Sequence, residues 1–208
     1  MRPASWIILF LLQLFFNLVP SFHFWSRVVL LSSVMFLSAI LWIKFAERAS
    51  LRGRLGFDEK GVTVLTYVVL AVILVFFTRD SFREAALLTG GSLIVPLFEE
   101  LFFRTYLLGS MVKKWSNIHD LPREERVKLF KLSFLPLFLT SISFALVHDD
   151  VIKILLGLPL LNFNSLIIIL MRVIFGMAVG GLYLLQRKLI VPAAFHVAFN
   201  LSYFLMAR

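Results

Sequence analysis

The 208-residue chain contains no cysteine. Disulfides, thiolate nucleophiles and cysteine-ligated zinc are therefore excluded, and redox compartment leaves no mark on the sequence. Charge is scarce as well: 16% of residues are charged, against about 25% in an ordinary soluble domain. Acidic residues are the rarer sign, with 12 Asp and Glu against 21 Lys and Arg and a net charge of +9. Three hydrolase signatures are also missing. There is no His-Glu-x-x-His of the zincin type, no rhomboid-type Gly-x-Ser-Gly (Gly90-Gly91-Ser92-Leu93 does not fit) and no pair of intramembrane Asp.

What is present is apolar. The chain is 60% hydrophobic with 23 Phe and a mean hydropathy of +0.92, which excludes a water-soluble fold and fits one solvated mostly by lipid. Apolar runs near the roughly 20 residues needed to cross a bilayer core extend over Trp6 to Trp25, Val28 to Phe45, Val62 to Phe77, Leu93 to Val112, Leu132 to His148, Leu166 to Leu185 and Ile190 to Met206. An eighth stretch, Val151 to Phe163, holds Lys153, Gly157 and Pro159; as a helix it rises only about 20 Å and is either a thin span or a re-entrant segment. The expected fold is all-α, a polytopic membrane bundle of about eight transmembrane helices, seven clear and one short. The first run lacks a small-residue cleavage site and reads as a retained helix rather than a signal peptide.

Five Lys and Arg lie in Lys44 to Lys60 and six in Lys113 to Lys131. By the positive-inside rule both loops are cytoplasmic. The basic excess is thus a topology signal, and no nucleic-acid partner is expected. Trp115 to Lys131 reads as a loop with a surface helix. Gly176 and Gly180 form a small-x-x-x-small face for close helix packing, and Pro96, after Thr89-Gly90-Gly91-Ser92, predicts that the fourth helix starts or bends there.

Ionisable groups inside spans are costly and are by default paired or functional. Glu100 and Arg104 stand four apart with Glu N-terminal, the better order for an ion pair on one helix face. Glu99 is turned about 100° from Glu100 and is the carboxylate left to face a cavity. His196 and Asn200 share a face of the seventh run, and Phe144 and His148 share one at the end of the fifth. Arg172 is expected to pair with Asp149 or Asp150. One carboxylate, two histidines and an amide on three helices can perform hydrolysis. Glu99 can serve as general base, or Glu99, His148 and His196 can hold Zn with an activated water, and Asn200 with one His can stabilise an oxyanion. The two routes are both open at this point.

Taken in order, Glu99-Glu100-x-x-x-Arg104, Phe144-x-x-x-His148 and His196-x-x-x-Asn200 resemble the three motifs of the Abi or CPBP family of intramembrane proteases, which includes the type II CAAX prenyl endopeptidases. The joint chance of all three is below about one in a hundred. The resemblance covers about residues 82–208, the catalytic helical core, and leaves residues 1–81 as N-terminal scaffold helices of one integrated membrane domain. It implies an intramembrane endopeptidase that cuts near a lipid-embedded or lipidated segment of a membrane-anchored protein or peptide. It implies Glu99 as base, His148 on the attacking water or a metal, His196 and Asn200 at the oxyanion, and Glu100, Arg104 and Phe144 in support. Thr105 departs from the family's usual Gly after the Arg. The expected location is the inner membrane of a prokaryote.

Catalysis requires Glu99, His148 and His196 to share a depth. With helices starting at Leu93 and Ile190, eight spans bring them to one side, opposite the basic loops, so eight are expected and the site should open outward. The alternatives are a non-catalytic membrane immunity or assembly scaffold that retains the motifs, and a proton-relaying transporter, which the missing inverted repeats disfavour.

Overall fold

Hydrogen bonding dictates the architecture: in lipid every backbone N–H and C=O must be satisfied within its own segment, and helices do this. In the computed structural model the described residues are 2–18, 24–43, 88–112, 122–157, 165–186 and 188–206, with scattered positions between 63 and 84. The Val62 to Phe77 run and the loops 44–60 and 113–121 lie largely or wholly outside them.

Among the described residues the chain is all-helical. Helix α1 is Arg2–Leu18 and α2 is Phe24–Leu41. Helix α3 spans 90–111 without a break, with helical backbone already at Leu88 and Thr89. Then follow α4 (Arg123–Leu146), α5 (Asp149–Leu155), α6 (Ser165–Gln186) and α7 (Ile190–Met206). The stretches Val127–Leu146 and Ser165–Gln186 are long and apolar enough to cross a membrane. Residues Arg123 to Lys131 are the opening turns of α4 rather than a separate surface helix.

Helix α3 is the axis of the bundle. All eight residues of its Leu101–Leu108 segment are buried. Its Leu101, Phe102, Phe103, Tyr106 and Leu107 pack with Leu9 of α1, Met35 and Ala39 of α2 and Phe144 of α4. Leu108 joins Leu137 of α4 with Tyr183 and Leu184 of α6. The outer faces are apolar too: Leu132 and Leu135 of α4, Leu166 and Ile174 of α6 and Tyr203 of α7 each expose more than 60% of their surface. A bundle apolar on both sides is what lipid solvation allows.

Ring pairs and close approaches fix the directions. Phe36 meets Phe98 and Trp42 meets Tyr106, so α2 runs parallel to α3. Gly176 sits against Ser141 and Gly180 against Leu137, so α6 runs antiparallel to α4. The segment joining α4 to α6 therefore returns to the end of the bundle it left. Helix α5 within it has only seven residues and ends just before Gly157, whose φ of 67° turns the chain. Residues 158–163 of the Val151 to Phe163 stretch lie outside the described residues, and with α4 and α6 antiparallel the eighth crossing expected there is not confirmed. The depth argument for eight spans misplaced a helix start: α3 is formed at Leu88, well before Leu93.

Pro96 neither starts nor breaks α3. The helix widens ahead of it into a π-helical turn, Gly90–Ile94, in which the Val95 N–H bonds to the Gly90 carbonyl. A wider turn accommodates the proline ring and its missing N–H without ending the helix.

At Gly176 an added Cβ would lie 3.0 Å from the Ser141 Cβ and 3.1 Å from its backbone Cα, whereas at Gly181 it would meet nothing within 4 Å. Gly176→Val should therefore push α4 and α6 apart and cost about 1–3 kcal/mol. Thermal unfolding in detergent should show a clear drop for Gly176→Val and none beyond the change in helix propensity for Gly181→Ala.

Candidate active site

Three helices and one helix end supply the polar groups. Glu100 and Arg104 face each other one turn apart on α3, as the i,i+4 spacing predicts. The Arg104 Nε donates to Glu100 Oε2 at 2.9 Å, and both side chains are fully buried. The second carboxylate oxygen is taken from across the bundle: His196 Nδ1 on α7 lies 2.9 Å from Glu100 Oε1. A carboxylate engaged by a guanidinium acts as acceptor, so His196 Nδ1 carries the proton and donates. Its Nε2 then points away from Glu100, toward Glu99.

His148 is oriented by the same logic with a different partner. The α4 helix ends at Leu146, and His148 Nδ1 lies 2.7 Å from the Phe144 carbonyl. A carbonyl can only accept, so Nδ1 again holds the proton and Nε2 is left bare. The Phe144 ring packs edge-on against His148 at 4.3 Å between centroids and against His196 at 5.9 Å. Its other neighbour is the Arg104 guanidinium, 5.1 Å from the ring centroid. Phe144 thus lies between the Arg104 guanidinium and the His148 imidazole.

Glu99 receives both histidines. Its Oε1 is 4.0 Å from His148 Nε2 and its Oε2 is 3.7 Å from His196 Nε2. The carboxylate also lines a cavity of about 320 Å³, walled by α1, α2, α3 and the α4 end, with His148, Val147, Gly91 and Val95 among its lining residues. The three groups expected to converge do so although they stand 49 and 48 residues apart in sequence.

Asn200 sits nearby with one amide N–H committed. Its Nδ2 donates to the Gly91 carbonyl at 3.1 Å. In the π-helical register set by the Val95–Gly90 bond, that carbonyl's next partner would be residue 96, a proline without an N–H. Asn200 satisfies an acceptor that the widened turn leaves open. Arg172 pairs with Asp150, its Nε and Nη2 reaching Oδ2 at 3.2 and 3.0 Å, which ties α6 to the α5 start beside His148.

Sequence reading missed several groups. Phe175 of α6 closes the outer side of His196 at 4.8 Å; nothing in its surroundings marks it out among 23 Phe. Gln13, Arg27 and Ser32 of α1 and α2 line the same cavity as Glu99 and His148. Arg27 did carry a signal, as the only Lys or Arg between Arg2 and Lys44.

The zinc alternative does not fit these residues. Two ligand atoms of a tetrahedral zinc stand about 3.3 Å apart, closer than either Glu99–His separation here. Among the described residues no group of three or more His, Cys, Asp or Glu is arranged to hold a metal ion. No step below is routed through one.

The three motifs resemble those of a membrane-protease family, and a comparison with protein families agrees with that resemblance. The family model described as "Type II CAAX prenyl endopeptidase Rce1-like" matches residues 81–202, more than half of the chain. The chain belongs to this family. Type II CAAX prenyl endopeptidases of the Rce1-like family are membrane-embedded proteases, and the two long apolar helices of this member fit that setting. No curated protein and no solved structure matches the chain.

Arg104→Met would strand the Glu100 carboxylate in the bundle interior, a loss of about 3–5 kcal/mol. Chemical unfolding in detergent should register it, and adding Glu100→Gln should recover part of the loss by removing the orphaned charge.

Proposed function

We propose that the protein is an intramembrane endopeptidase in which Glu99 activates a water that hydrolyses a peptide bond close to a lipid-embedded or lipidated segment of its substrate. The observation that carries this reading is the convergence of the Glu99 carboxylate with the bare Nε2 atoms of His148 and His196, from separate helices, at the wall of a cavity. Three acceptors facing one another lack protons, and a water supplies two. It donates one to Glu99 and the other to His148 Nε2, which leaves its oxygen lone pair aimed into the cavity.

Attack forms the C–O bond as the first proton passes to the Glu99 carboxylate. The developing oxyanion then needs donors. Asn200 retains a second N–H beyond the one given to Gly91. His196 stands on the far side of Glu99, its ring held at Nδ1 by the Glu100 carboxylate. When the tetrahedral intermediate collapses, the C–N bond breaks and Glu99 returns its proton to the leaving amine. Arg104 keeps Glu100 ionised and in place throughout. The helices before residue 82 serve in this scheme as scaffold and cavity wall.

The protein is proposed to be a multi-pass protein of a prokaryotic inner membrane, acting on a membrane-anchored or lipidated protein. Its site opens at the end of the bundle occupied by His148, which lies opposite the start of α4 and its basic residues, hence on the extracytoplasmic side.

Glu99→Gln keeps the side chain's shape and should lower hydrolysis at least about a hundredfold while leaving the unfolding temperature unchanged. Terminal-peptide proteomics of membranes carrying wild type or Glu99→Gln should reveal new termini with wild type alone; identical termini would overturn the reading. Topology can be checked with the cysteine-free chain as a silent background. A membrane-impermeant maleimide should label Leu155→Cys in intact cells but reach Glu124→Cys only after permeabilisation.

A further inference from the structure

Helix α6 carries none of the three motifs, yet one of its faces reaches the supports of both histidines. Arg172, Phe175 and Gly176 stand at i, i+3 and i+4 and so share that face. Phe175 packs edge-on against His196 at 4.8 Å, Gly176 sits against Ser141 of α4, and Arg172 donates from Nε and Nη2 to Asp150 Oδ2 at 3.2 and 3.0 Å. The Arg172 and Asp150 side chains are 34% and 28% exposed, so as an ion pair they add little to stability. Where the pair sits matters more.

His148 is the junction between two helices. Its N–H bonds to the Ala145 carbonyl and closes α4, while its own carbonyl accepts from the Ile152 N–H at 2.9 Å and opens α5. The backbone is extended between them, with φ −77° and ψ 139° at His148, so the direction in which the imidazole leaves the chain follows the angle at which α5 meets α4. Helix α5 has only seven residues, too few to hold itself in place without tertiary anchors. Val151 and Ile152 bury their side chains, but apolar contact has no direction of its own. Asp150 supplies it. Its Oδ1 accepts from the Val151 N–H at 2.9 Å, one of the donors that a helix start leaves without an intrahelical partner, and its Oδ2 takes the Arg172 fork. One carboxylate, two residues after His148, is thus shared between the first turn of α5 and α6. The Arg172 charge also acts on Glu99 and on His148 directly, which puts the guanidinium beside the site rather than on a distant face.

We propose that Arg172 is a positioning residue for hydrolysis: through Asp150 it fixes the α4–α5 junction and so holds the His148 imidazole at the 4.0 Å from Glu99 that one water bridges. The proposal rests on the hydrolytic reading for the use made of His148. It gives α6 a part in arranging the site beyond packing. Arg172 and Asp150 act as one unit in this role, and neither takes part in the chemistry.

The test reads the imidazole and the rate separately. In histidine nitrogen NMR spectra of the protein in phosphatidylcholine nanodiscs, the His148 signal, identified by its absence in His148→Gln, should report one tautomer protonated at Nδ1. Arg172→Met and the near-isosteric Asp150→Asn should each turn it into a mixture of tautomers while the His196 signal keeps its place. With a quenched-fluorescent S-prenylated peptide as probe, each variant should lower kcat at least tenfold with KM within twofold. The double variant should lose no more than the worse single one, as two residues acting as a unit do, and Arg172→Lys should retain part of the rate. Unfolding temperatures should stay within a few degrees of wild type. An unchanged His148 signal, an unchanged kcat, additive losses in the double variant, or a loss of folding in both single variants overturns the proposal. A tautomer change in Arg172→Met with no cleavage even by wild type sinks the hydrolytic reading alone, and wild-type cleavage that Arg172→Met leaves intact sinks this proposal alone.

Discussion

The Glu100 carboxylate is the point on which the bundle and its site both depend. One oxygen is held by Arg104 from its own helix and the other by His196 from α7, so a single buried anion sets the relative depth of two helices that share no covalent constraint. Neither neighbour is dispensable to the other. A carboxylate in an apolar interior is tolerated only when paired and fully hydrogen-bonded, and His196 acquires a defined tautomer only because Glu100 accepts from its Nδ1. The same contact that makes the charge tolerable therefore orients the imidazole Nε2 toward Glu99.

Adjacent glutamates can take opposite roles because a helix turns about 100° per residue. Glu100 faces the bundle interior and is consumed by structure; Glu99 faces the cavity between two imidazoles. Backbone irregularity sharpens this division. The π-helical stretches on either side of Val95–Glu100 shift the register of α3 relative to an ideal helix, and such widened turns recur at functional sites. In the first of them the Gly91 carbonyl is left for Asn200. One irregularity thereby places an amide of α7 beside the cavity while keeping the backbone satisfied.

How much was legible beforehand depended on distance along the chain. Contacts within one helix follow from spacing: Glu100 with Arg104, Phe144 with His148, and Gly176 with Gly180 as a face for close approach were all readable because 3.6 residues make a turn. The Arg172–Asp150 pair was readable from scarcity, since a cation within an apolar run has few carboxylates to choose from. The eighth span was not. It followed from where α3 was taken to begin, and a π-helical turn that extends the helix upstream of Pro96 has no signature in an apolar run. Arg27 was passed over because it falls between two apolar runs, where a basic residue usually marks an interface.

By itself, the sequence determined that the chain is helical and apolar on all sides, which side chains share a helix face, and to which family of membrane proteases three spaced motifs assign it. These are local or compositional properties, set by helical periodicity and by the absence of competing chemistry such as cysteine. Only the tertiary structure decided that His196 leans on Glu100 rather than standing with Asn200 alone, that α4 and α6 lie antiparallel, and that the first two helices wall the cavity. Each of these requires the relative depth and direction of helices far apart in sequence. Packing at Gly176, Gly180 and the Phe36–Phe98 ring pair sets those quantities, and no pattern along a single helix encodes them.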